Sequence, residues 1–99
     1  MKKEETQTKE STVLGIITIG GGCSWYQGTD EIELAFKCAK VCKQDWKHLF
    51  QFKKKHEFPV NLFDLTKAKK GWRQNLNGRV YCDETKEELP LIKTLWVAV

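Results

Sequence analysis

From Glu31 to Phe52 the apolar residues recur with the spacing of one helical face, and no other stretch constrains the fold as much. At about 100° per residue, Leu34, Ala35, Cys38, Ala39, Val41, Cys42, Trp46, Leu49 and Phe52 share one broad side. Lys37, Lys40, Lys43, Gln44, Lys47 and Gln51 fall on the other, with Phe36 and Phe50 at the boundary. Asp45 and His48 sit at the second margin of the stripe and read as structural side chains. Lys53 would enter the apolar side, so the helix is predicted to end near Phe52. Its start is marked by Asp30 and Glu33, which have capping-box spacing. A helix this amphipathic must lay its stripe on another element.

The other apolar segments have the lengths and residue types of strands. Val13-Leu-Gly-Ile-Ile-Thr-Ile19 is rich in β-branched residues and stops at three glycines, Gly20 to Gly22. In GWRQNLNGRVYCDE, Asn77-Gly78 is the preferred two-residue hairpin turn, with both positions at positive φ. That turn would pair roughly Gly71–Leu76 with Arg79–Glu84. LIKTLWVAV, after Pro90, reads as a buried strand. FPVNLFDLTKAKK is compatible with a short strand or an irregular apolar turn. The predicted class is α+β: one long amphipathic helix packed on a small antiparallel or mixed β-sheet, with a C-terminal hairpin and strand. At 99 residues there is room for one domain, assigned to residues 13–99 behind a flexible polar tail, residues 1–12.

LWVAV is far too short to cross a bilayer, and MKKEETQTKEST has no apolar signal-peptide core. A cytoplasmic protein without a membrane partner is expected. In that compartment the four cysteines should be reduced.

The glycine-rich stretch ITIGGGCSWYQGTDEIE invites comparison with phosphate loops and thiol enzymes, and fits neither. Gly22 and Gly28 are separated by five residues, and Thr29 stands where a Walker loop needs lysine. Trp25 occupies the third glycine's place in a dinucleotide pattern, and Asp30, Glu31 and Glu33 put negative charge where a phosphate would sit. An anion site at the helix N-terminus behind these glycines is the remaining small-ligand alternative. Cys23, in a loop ahead of a helix, could have a lowered pKa. A phosphatase loop would need arginine at position 29, however, and only His48 and His56 are available as bases. Cys38 and Cys42 stand one turn apart, and with Cys23 and Cys82 make a four-sulfur zinc site arithmetically feasible. Their place in the middle of the apolar stripe favours core packing instead. No metal or cofactor is expected.

Charge distribution points further than any motif. Residues 1–36 have a net charge of −3 and residues 74–99 of −1, whereas residues 37–73 hold eleven Lys or Arg against three acids, a net +8. A field of that kind attracts polyanions, and aromatics interleaved with cations, here Phe36, Phe50 and Trp72, suit stacking on single-stranded bases. RNP aromatics, a GXXG clamp, zinc-finger spacing and heptads are all missing. The expected function is non-enzymatic binding of nucleic acid, largely independent of sequence. The residues assigned to contact are Lys40, Lys43, Lys47, Lys53, Lys54, Lys55, Lys67, Lys69, Lys70, Trp72 and Arg73. A protein-interaction or inhibitor module using the same face on an acidic partner is the alternative, and a thiol or metal protein built on Cys23 the weaker one. A solvated lysine surface would carry the same charges. Oligomeric state is open.

Overall fold

The β-branched run forms β1 (Val13–Ile19) with the predicted bounds. Its residues alternate between two interiors: Val13 and Ile17 point to one side, Leu14 and Ile16 to the other, and all four are buried. A strand covered on both faces reads as a continuous apolar run. The computed structural model describes residues 11–19, 22–50, 57–75 and 77–99. The tail up to residue 10, Gly20 and Gly21 lie outside them.

Around β1 the sheet is antiparallel throughout, in the order β2-β1-β3-β6, with β2 at Gly22–Gly28, β3 at Glu57–Asp64 and β6 at Leu91–Ala98. The undecided FPVNLFD segment is thus β3, an inner strand that carries Phe58, Val60 and Leu62 on one face and Phe63 on the other. One layer on the sheet is α1 (Glu31–Asp45), which packs Leu34, Ala35, Cys38, Ala39 and Cys42 against Val13, Ile17, Val60 and Leu62. Gly15 lets the helix approach. A Cβ there would lie 3.3 Å from Leu62 Cδ2 and Val60 Cγ1, and 3.5 Å from Leu34 Cγ. On the opposite face the segment 65–71 and a two-stranded hairpin, β4 (Trp72–Gln74) and β5 (Val80–Cys82), cover Leu14, Ile16 and Phe63 with Leu65, Ala68, Val80 and Cys82, joined by Leu89 from the connection to β6. The Gln74 amide donates to the Thr18 hydroxyl at 2.9 Å and ties the hairpin to β1.

Asp30 caps α1 as its spacing predicts, its carboxylate accepting from the Ile32 and Glu33 amides at 3.0 and 3.1 Å. The end of the helix differs. α1 stops at Asp45 with Trp46 as C-cap, and a separate turn of helix, α2 (Lys47–Phe50), follows. Trp46, at the break, still packs on the helix-side core. Phe52 lies outside the described residues.

Three strand expectations change as well. GCSWYQG is not a loop: its residues pair with β1 from Val13↔Gly28 to Ile19↔Gly22, which puts a whole strand between Gly22 and the helix start. β6 is an edge strand, and of its eight residues only Val97 is buried, because a partner flanks it on one side alone. The hairpin register is displaced by one residue. Trp72 pairs with Cys82 and Gln74 with Val80, the Asn75 amide donates to the Arg79 carbonyl at 3.0 Å, and the Gly78 amide donates to the Asn75 carbonyl at 3.1 Å. Gly78 has φ +88°, whereas Asn77 is not at positive φ, so of the two expected turn residues only Gly78 is left-handed. Nothing lies within 4 Å of a Cβ built on Gly78, so Gly78→Val should cost about 1–2 kcal/mol through backbone strain alone. Chemical denaturation would measure it, and a cost near zero would show that the turn relaxes freely.

Candidate nucleic-acid interface

The basic middle of the sequence is divided between two sides of the sheet. Lys40 on α1 and Lys47 on α2 are exposed in the helix layer; Lys43 is half-buried, and its ammonium donates to the Val99 carbonyl at 2.9 Å. Lys37 of the same layer stands 5.6 Å above the Tyr26 ring. Lys67, Lys69, Lys70, Trp72 and Arg73 belong to the layer on the opposite face. Lys53, Lys54 and Lys55 lie outside the described residues. Contiguity in sequence therefore does not produce one continuous basic face among the described residues.

The group on the hairpin side has a definite construction. Asp64 accepts from the Thr66 amide at 2.9 Å and opens a turn, and its carboxyl is held below the usual range by the hydroxyl and amide of Thr66. Leu65 and Ala68 then insert into the core, with the Ala68 amide bonded to the Leu65 carbonyl and the Gly71 amide to the Ala68 carbonyl. With these two anchors inside, Lys67, Lys69 and Lys70 are left exposed on the surface of a pinned segment. The chain runs from them directly into Trp72, which is half-buried against the same core. Trp72 meets Trp25 edge to face, the ring centroids 5.1 Å apart and the planes at 88°. Trp25, on the outer strand β2, is 47% exposed. No sequence signal marked Trp25, because the pairing that brings it to Trp72 crosses two sheets. Arg73 contributes less than expected: its guanidinium is held by Asp83 at 2.8 Å, which cancels its charge locally.

The thiols separate in the same manner. Cys38 and Cys42 are buried on the helix side; Cys82 is buried and Cys23 half-buried on the hairpin side. The sheet between them prevents four sulfurs from converging, and no three His, Cys, Asp or Glu side chains cluster for a metal among the described residues. The Cys38 thiol donates to the Ser24 carbonyl at 3.3 Å and more weakly to that of Gly15. His48 sits in the helix layer with its ring 6.2 Å from Trp46, across the sheet from Cys23, and His56 lies outside the described residues. Among the described residues no helix is long and apolar enough to cross a membrane. Compared with protein families, curated proteins and solved structures, the chain matches none.

Proposed function

We propose that the protein is a non-enzymatic module that binds single-stranded nucleic acid on its hairpin side. The observation that carries this reading is the exposed trio Lys67, Lys69 and Lys70 on a pinned segment that leads straight into the Trp25–Trp72 pair. Lysines there would follow a phosphate backbone while the indoles offer faces or edges to bases, a combination tolerant of sequence. Lys40, Lys43 and Lys47, across the sheet, add to the long-range field rather than to the same contact. An acidic protein segment would meet the same cations, and it is the partner left standing if nucleic acid fails.

The test is a salt titration of binding to single-stranded DNA and RNA. Each phosphate contact releases counterion, giving a slope of about −0.7 in log K against log salt. Reversing Lys67, Lys69 and Lys70 to Glu should flatten the slope by about 2 and weaken binding on every sequence. Trp25→Ala, at an exposed position, should lower affinity by about 1–3 kcal/mol with the slope retained. Trp72→Ala is a poorer probe because Trp72 also packs on the core. No binding at low salt to any single strand would sink the proposal.

A further inference from the structure

Strand β6 ends the sheet, and among the described residues nothing pairs with its outer edge. Exposed edges are ordinarily blunted by charge, proline or shortness. β6 runs for eight residues with one charge, Lys93, and that ammonium is occupied by Glu31 of α1 at 3.1 Å. Its surroundings are apolar. Trp96 is 65% exposed, Leu91 53% and Ile92 41%, and from α1 Ile32 at 65% and Phe36 at 45% complete a groove with Leu95 and Trp96. The other edge differs, since β2 begins and ends in glycine and its exposed large apolar side chain, Trp25, already rests on Trp72.

We propose that β6 pairs antiparallel with β6 of a second copy of this chain, joining two four-stranded sheets into one. Four features select a second copy. A two-fold axis normal to the sheet near Thr94 sets Lys93 opposite Leu95 of the second copy and Trp96 opposite its Ile92. Trp96 then meets Ile92 and Leu91 meets Val97, Lys93 faces Leu95, and the two lysines stay apart. The same axis keeps both α1 helices on one face, where Ile32 and Phe36 of each copy border the seam. The five exposed side chains offer on the order of 500 Å² per copy, and on the order of 1,000 Å² in a pair, the size at which specific interfaces begin. A two-fold pairing also closes on itself, using up both β6 edges and leaving the glycine-bounded β2 strands at the ends. The surface is separate from Lys67–Lys70, so pairing stands whether or not nucleic acid binds.

Sedimentation of the full chain over a concentration series tests it. The wild type should pass from monomer to dimer, and Trp96→Glu and Ile32→Glu should each weaken the dimer by about tenfold or more. Amide exchange along β6 should slow as concentration rises. Far-UV circular dichroism checks that each variant folds; if Trp96→Glu does not, Ile32→Glu, on the exposed side of the helix, decides. A wild type still monomeric at about 1 mM overturns the proposal, as does a dimer unchanged by a folded variant of this surface.

Discussion

Truncating Leu62 to alanine is expected to destabilise the fold by about 2–5 kcal/mol, a large share of the stability of a domain this small. Leu62 is fully buried beneath α1 and closes over Gly15, so no solvent can fill the space left behind. Leu14→Ala, fully buried on the hairpin side, should cost a similar amount. The two cores are not independent, because β1 and β3 each supply side chains to both, with Leu62 and Phe63 adjacent in sequence and opposite in direction. Urea unfolding followed by circular dichroism and by tryptophan fluorescence should therefore give one coincident transition, with Trp46 reporting on the helix layer and Trp72 on the hairpin layer. Two separated transitions, or a loss below about 1 kcal/mol for Leu62→Ala, would contradict the shared core.

Alkaline pH should bring the second large loss. Burial pushes the Cys38 thiol from its ordinary 9.0 up to about 12, with the neighbouring Cys42 thiol adding to the rise. Cys42 itself is raised, again chiefly by burial. A group whose folded pKa lies above its unfolded value keeps its full stabilising effect below the unfolded value. For Cys38 that contribution is therefore intact below pH 9 and lost between pH 9 and 12, at about 1.4 kcal/mol per pH unit. Comparing urea midpoints of wild type and Cys38→Ala from pH 8 to 11 isolates the contribution of this thiol. The variant should start less stable and fall less steeply. Parallel curves would mean that the thiolate is accommodated after all.

Much of the site could be read from the chain, but not its geometry. Lys67, Lys69, Lys70 and Trp72 stand out as a basic and aromatic cluster because they are contiguous. Trp25 does not, since β2 reaches β4 only through the packing of one sheet on another. Arg73 counts as a cation in sequence and is neutralised in the fold by Asp83, ten residues away across the hairpin. The lysines of α1 look continuous with the later ones until the sheet comes between them.

What the sequence determines by itself is local or nearly so. The capping of α1 by Asp30, the bounds of β1, the core position of Cys38 and Cys42 and the glycine demanded at position 78 all follow from interactions within a few residues or from one element's periodicity. Only the tertiary structure decided the rest. An apolar repeat records which side of an element is buried, but not where the helix breaks, so α1 stops at Asp45 although Trp46 still packs on the same core. A strand's composition does not tell whether it has one neighbour or two, so LIKTLWVA reads as interior and lies at an edge. Three glycines mark a break without saying whether a loop or a returning strand follows, and β2 is held by partners on β1 rather than by its own propensity. Hairpin register depends on which residues close the turn, and moving it by one exchanges every side chain between core and solvent.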